Sequence, residues 1–495
     1  MPKKQIHRSA ELLLNHFEQV FLFYIWILLT SLVVLFYLRK EGAVGLFLLG
    51  GLLGVVLWEI FLRTVLSAAY GRQYRFAIFS FFLVNHPVYG VGFRQNCRSK
   101  ELDFLIFDKF AFPPGTGKLY DLELNRKKRN VFNINSLGFR GQEFDSKQKK
   151  TKLRIFCSGG STTAGDCNDD AETWPARLEQ ELRQKGIDAE VINSGVQGWY
   201  SYQEWLRFKE EIVRYQADIV LLHQGWNEEF EYSSLSLGTK WKPKVARNVV
   251  EQNNLYCPAN RWLSQTRVLS FYLLAQKFLK EQVFALQMNF NNPKRWEVLL
   301  RNDYIVAWFD NLIAMARLAQ ERNIQLFTID YPGLVELADT PEDRQTYVAN
   351  SRLTPLYADY QAVSKRKISR TLKECAPLIP CLDCTQDFNA FEGEERLALF
   401  HDEIHMTPQG NALFAKILCA KLMSTESFQK RIADGAFRIS VDLNVETIRS
   451  KRALLKENPS YLDRFIESRI ERLQHKEIRP KDIFQEVPED RYTTF

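Results

Sequence analysis

The hydrophobic and polar positions of this 495-residue chain follow different rules in different regions. From Val20 to Leu66 the apolar side chains run almost continuously. Val20–Leu38 ("VFLFYIWILLTSLVVLFYL") is uncharged, and Gly42–Trp58 continues to Leu66 with only Glu59 and Arg63 interrupting it. A bilayer-spanning helix needs roughly 20 apolar residues. The pattern therefore predicts a membrane hairpin, with helices over about 18–38 and 43–66 inside an anchor of residues 1–74. The first run is too long for the apolar part of a signal peptide, and Arg39 and Lys40 follow it in place of a small-residue cleavage site. "RFAIFSFFLV" (Arg75–Val84) is shorter and aromatic, suited to an interface or to packing on a soluble domain.

From Lys152 to about Met423 short apolar runs alternate with amphipathic stretches. "LRIFCSG", "AEVINSG", "ADIVLLHQG", "IQLFTIDYPG" and "LIPCLDC" read as strands. "TWPARLEQELRQKG" reads as a helix with Thr173 at its N-cap, Pro175 in its first turn and Gly186 as terminator. "YQEWLRFKEEIVRYQ" and "YIVAWFDNLIAMARLAQERN" are further helices, and "TPQGNALFAKILCAKLM" closes the region with Thr407 capping and Pro408 at the first position. Such alternation predicts an α/β fold, a parallel sheet covered on both faces, over residues 151–423. Residues 75–150 form a strand-like juxtamembrane lead-in, and about 230–302 an aromatic and basic insertion that suits a lid, a substrate wall or a helical elaboration. Residues 424–495 read as a charged helical extension, exposed and linker-like.

Composition, 46% hydrophobic and 25% charged, is ordinary for a globular protein. The net charge of +7 changes the picture more, because Lys3, Lys4, Arg8, Arg72, Arg75, Arg94, Arg98 and Lys100 cluster beside the apolar spans. That placement suits an anionic lipid surface, and no nucleic-acid partner is expected. Basic residues flank both outer sides of the hairpin, which places the termini and the large domain on the cytoplasmic side. The eight cysteines fit a reducing compartment; Cys381 and Cys384 have CxxC spacing, but with no second pair they read as buried free thiols.

The candidate chemistry starts at "IFCSGGSTTAGD" (Ile155–Asp166), where a strand stops at two glycines and a serine. Three readings suit such a stretch: a phosphate cradle, a nucleophile on a turn, or a plain loop. Neither G-x-x-x-x-G-K-[ST] nor G-x-G-x-x-G is present, which removes the phosphate reading. A serine nucleophile needs a base, a group orienting that base, and oxyanion donors. His405 lies just before the last helix, with Asp402 three residues ahead in one loop. The rival for this segment is zinc held by His401 and His405, but the helix begins after the pair and the zincin glutamate is missing. No metal or cofactor is expected. Asp166, Asp169 and Asp170 read as a solvated loop, and His223 as a core histidine.

With these residues in view, the chain resembles the SGNH (GDSL-type) hydrolase family, whose sequence blocks occur in order: "GGSTTAG", "NSGVQG", "GWNE" and "DEIH". The resemblance covers roughly Lys152–Met423, and "INSLGFRGQEF" ahead of it looks like the lead-in of membrane-attached bacterial members. It implies a three-layer, flavodoxin-like α/β/α domain. It also implies a triad of Ser161, Asp402 and His405, with an oxyanion hole formed by the Ser161 and Gly198 N–H groups and the Asn227 side chain. Trp199, Trp226 and Glu228 are candidates for substrate contact, with packing as the alternative for the tryptophans. The sequence departs from the family at Gly160 and Thr162, where the GDSL motif has Asp and Leu, and at Glu228, where Asp follows the block asparagine.

The function expected is a membrane-anchored serine esterase removing an acetyl or fatty acyl group from a carbohydrate or lipid. An O-acyltransferase on the same machinery, with a glycan alcohol replacing water, is the alternative. A catalytically idle membrane scaffold is a third reading.

Overall fold

A computed structural model describes residues 83–86, 88–98, 131–149, 153–165, 168–228, 293–350, 355–434 and 443–474, with a few isolated positions between 50 and 60. Among these residues no helix is long and apolar enough to cross a membrane. The two expected spans, and the insertion up to residue 292, lie almost entirely outside the described residues. The chain divides into two compact units, and every element named below belongs to the one built from Phe79–Glu101, Thr116–Glu251 and Leu286–Phe495.

Four short strands lead in. β1 (Leu83–His86) and β2 (Gly90–Phe93) form an antiparallel hairpin, and β3 (Cys97–Arg98) pairs antiparallel with β4 (Asn133–Ile134). The main sheet follows: β5 (Leu153–Gly159), β6 (Ala189–Asn193), β7 (Ile219–His223), β8 (Gln325–Asp330) and β9 (Cys381–Asp383). These five are all parallel, in the order β6-β5-β7-β8-β9. Every residue of β5, β7 and β8 is buried, as expected of central parallel strands covered on both faces.

The helices that cover the sheet follow the expected alternation. They are α1 (Ser161–Ala164), α2 (Trp174–Gln184), α3 (Ser201–Glu210), α4 (Pro293–Leu300), α5 (Asp303–Glu321), α6 (Pro355–Cys375), α7 (Pro408–Ser424) and α8 (Ser460–Gln474). Strand order reverses direction after β6, so right-handed crossovers put α2 and α3 on opposite faces. Accordingly α2 packs on α7, and α3 packs on α5. The Thr407 side chain caps α7 by accepting from the Gly410 N–H at 3.1 Å, with Pro408 at the first position.

The tail differs from its expected exposed character. Helix α8 packs on α4 and buries Leu462, Ile466 and Arg469. Arg469 donates to Asp359 of α6 at 3.1 Å, and the same carboxylate takes Arg344 at 3.1 Å. The apolar pair Leu462 and Ile466, one turn apart, is outnumbered by charges in any sequence window. Arg469 reads as solvated because its partner lies 110 positions away.

The six cysteines within the described residues are free thiols. Burial pushes the Cys381 thiol up to about 12, so Cys381 and Cys384 form no reactive CxxC pair.

Candidate active site

Strand β5 delivers its C-terminal end to the sheet edge where ligands bind in such folds. The chain turns at Gly159 and Gly160 into α1, whose first residue is Ser161. Gly160 is required by close approach: a Cβ there would lie 2.7 Å from Asn227 Nδ2 and 3.2 Å from the Trp199 carbonyl oxygen.

The structure brings the three triad candidates together. His405 Nε2 lies 2.8 Å from Ser161 Oγ, and His405 Nδ1 lies 2.7 Å from Asp402 Oδ2. The carboxylate on one ring nitrogen places the hydrogen on Nδ1 and leaves Nε2 to accept from the serine hydroxyl. Asp402 Oδ1 accepts two backbone N–H bonds, from Ile404 at 2.9 Å and from His405 at 2.7 Å. Burial alone would push the Asp402 carboxyl up, but His405 and these hydrogen bonds outweigh it and hold it down at about 2. The His401 N–H donates to the His405 carbonyl at 2.7 Å, and Phe400 bridges Met406, so "HDEIH" is a closed loop. The two histidines do not share a helix face, and among the described residues no group of three or more His, Cys, Asp or Glu is placed to hold a metal ion.

The other candidates lie on the turns that follow β6 and β7, on either side of β5. Gly198 has φ +70°, a left-handed conformation that favours glycine, and precedes Trp199. Asn227 Nδ2 donates to the Trp199 carbonyl at 2.7 Å. A cleft of about 250 Å³ opens here, lined among others by Gly160, Ser161, Trp199, Trp226, Asn227 and Ile404. Trp226 and Trp199 both line the cleft, though the Trp199 indole N–H is taken by the Val91 carbonyl at 2.9 Å.

Glu228 is placed elsewhere. Its carboxylate accepts from the Ser201 N–H at 2.6 Å and the Ser201 hydroxyl at 3.0 Å, and Asn311 donates to that hydroxyl at 2.9 Å. The expectation of a substrate contact at Glu228 is thereby corrected. The residue fastens the start of α3 to the Asn227 turn, a task for which the longer Glu side chain has the reach.

Sequence reasoning missed a buried polar row behind the cleft. Glu204, 1% exposed, accepts from Ser158 Oγ at 2.9 Å and Gln224 Nε2 at 2.7 Å, while Gln224 accepts from the Trp308 indole at 3.2 Å. Burial pushes the Glu204 carboxyl up to about 7. His223, the β7 residue before Gln224, places its Nδ1 2.9 Å from Thr163 Oγ1 and packs against Trp174 and Phe414, and burial pulls it down to about 3. The inner stripe of α3 is Ser201, Glu204, Arg207 and Phe208, so helical spacing was present in the sequence but hydropathy disguised it.

The acidic loop is also corrected. Asp169 accepts from the Val131 N–H at 2.7 Å, and Asp170 accepts from the Asn133 N–H at 3.1 Å and its side-chain amide at 2.9 Å. Asp170 further pairs with Arg140 at 3.0 Å. These carboxylates fasten the lead-in to the domain, while Asp166 lies outside the described residues.

Residues 157–413 match the model of the GDSL-like lipase/acylhydrolase family. Comparison with curated proteins finds no match. Similar solved structures include a GDSL-like lipase from Bacteroides thetaiotaomicron VPI-5482, with 17% identity over 58% of this chain and 92% of that one and a TM-score of 0.26. An acetyl xylan esterase has 15% identity over 55% and 98%, with a TM-score of 0.32. An acetylxylan esterase from Geobacillus stearothermophilus has 10% identity over 57% and 98%, with a TM-score of 0.30.

Proposed function

The chain belongs to the GDSL-like lipase/acylhydrolase family and is a serine ester hydrolase; from that premise we propose that Ser161 is its nucleophile and that it removes an acetyl or fatty acyl group from a carbohydrate or lipid at a membrane. The observation that carries the reading is the unbroken hydrogen-bonded path from Ser161 Oγ through His405 to Asp402 at the edge of the cleft. Ser161 attacks the ester carbonyl as His405 Nε2 takes its proton, and Asp402 holds the imidazole in the tautomer that can do so. The tetrahedral oxyanion is received by the N–H groups of Ser161 and Gly198 and by the Asn227 amide. His405 returns the proton to the departing alcohol. Water, deprotonated by the same imidazole, then releases the acid from the acyl-serine.

The apolar runs of residues 18–38 and 43–66 support a two-span anchor, and the flanking basic residues support a cytoplasmic active site. In this reading residues 1–74 anchor, 75–150 lead in, 151–423 form the hydrolase domain and 424–495 extend it.

A fluorophosphonate probe tests the assignment. Wild-type protein is expected to be labelled at Ser161 and Ser161→Ala not at all; labelling at another residue would sink it. The same probe, membrane-impermeant, on intact and permeabilised cells reports the side of the membrane. A series of p-nitrophenyl esters from acetate to long-chain acyl reads out the acyl preference, and product analysis with sugar acceptors separates hydrolysis from acyl transfer.

A further inference from the structure

We propose that Arg140, which precedes the residues shared with the family, is a positioning residue for the reaction. It holds the turn that carries Ser161 and links that turn to the loop that carries His405. The inference rests on the reading of Ser161 as nucleophile.

Arg140 is 3% exposed and is fixed at both ends of its side chain. Its backbone bridges Ile134 on one side and Asn193, the last residue of β6, on the other. Its Nη1 donates to the carbonyls of Ala164 and Gly165, its Nη2 to the carbonyl of Asn168, and its Nε to Asp170. The guanidinium lies 4.0 Å from the centre of the Phe132 ring.

The carbonyls it takes are those that α1 leaves unpaired. A single helical turn has no following turn to satisfy its last C=O groups. The Thr163 carbonyl is taken by the Asn193 side-chain amide at 2.8 Å, and Arg140 takes the next two, sharing the Gly165 carbonyl with the Asn168 N–H at 3.0 Å. A cation there also opposes the partial negative charge of aligned carbonyls. Ser161 opens this same turn, so its Oγ is placed by whatever fixes the turn's far end.

The second link runs through Asn168. While Arg140 holds its carbonyl, the Asn168 amide donates to the Met406 carbonyl at 3.0 Å, one residue past His405. Nucleophile turn and base loop thus share one buried anchor, drawn from the lead-in segment. Lysine cannot replace it, because an ammonium lacks the planar fork that reaches several carbonyls and a carboxylate at once.

A merely structural staple predicts lost folded protein with unchanged turnover per folded molecule. A positioning residue predicts a loss in kcat, since misplacement of about 1 Å costs on the order of 10² in rate. Kinetics on p-nitrophenyl acetate, with active sites counted by fluorophosphonate titration, separate the two. Arg140→Lys is expected to melt cooperatively, keep KM within about twofold and lose about 10- to 100-fold in kcat. Arg140→Ala is expected to regain part of its turnover on addition of millimolar guanidinium. Wild-type kcat in folded Arg140→Lys would overturn the inference. Should that variant not fold, Asn168→Ala decides, because it removes only the amide that reaches Met406. A kcat-selective loss there supports the proposal, and unchanged kcat defeats it. Labelling of the wild type at a residue other than Ser161 would instead defeat the nucleophile reading and this inference with it.

Discussion

The side-chain amide of Asn227 donates to the carbonyl oxygen of Trp199 at 2.7 Å, joining the two turns that flank the end of β5. The amide is therefore held in place before any substrate arrives, and a preorganised donor is worth more than one that must be gathered. Asn227→Ala is expected to lose about 10²–10³ in kcat. Ser161→Ala is expected to lose on the order of 10⁶, the scale for a triad serine. Steady-state hydrolysis of p-nitrophenyl acetate checks both, and equal modest losses would contradict the assigned roles.

Gly160 leaves the space that this amide needs. In Gly160→Ala the new methyl would sit 2.7 Å from Asn227 Nδ2, and the cheapest relief is rotation of that side chain away from Trp199. The variant is expected to fold normally and to lose kcat nearly as far as Asn227→Ala. Combined with Asn227→Ala it should add little further, because both changes remove one interaction. Full additivity in the double mutant would show that Gly160 acts elsewhere.

Glu228 receives both the backbone and the hydroxyl donor of Ser201. Its removal strands two buried donors, a loss of about 1–3 kcal/mol for each unsatisfied group. Urea denaturation is expected to show Glu228→Ala destabilised by that order and Glu228→Gln by less. An unchanged midpoint in Glu228→Ala would be inconsistent with the clasp.

The chemistry at the strand ends was legible in the sequence because it depends on short local patterns. Two glycines mark the β5 turn at Ser161, and Asp402 lies three residues before His405. Both the α/β alternation and the Thr407–Pro408 start of α7 follow from local spacing as well. What escaped notice were polar residues whose partners are distant in sequence. Asp170 answers Arg140 across 30 positions, Glu204 answers Ser158 across 46, and Arg469 answers Asp359 across 110. Each looks solvated in its own window, since hydropathy registers a charge and takes no account of its partner.

The buried carboxyls set a pH dependence with a definite sign. Glu204 is raised to about 7 from an ordinary 4.5, so between those values the unfolded chain gives up a proton that the native state keeps. The Glu204 contribution is full below about 4.5 and is lost as pH rises toward 7. Glu336, also raised to about 7 by burial, acts in the same window. His223, lowered to about 3, and His401, lowered to about 4, act oppositely and cost stability as pH falls below 6.5. Glu204→Gln is therefore expected to gain stability relative to wild type between pH 5 and pH 8. Urea melts at the two values check it, and a constant difference would refute it.

The two flanking turns also have a stereochemical consequence. In the proposed mechanism, donors from the β6 side and the β7 side fix where a carbonyl oxygen rests, and His405 fixes the direction in which the alcohol departs. With both directions set, Ser161 Oγ meets one prochiral face of the ester. A phosphonate probe chiral at phosphorus should therefore react faster as one enantiomer, and the handedness of that preference would follow from the order in which three neighbouring strands are laid side by side.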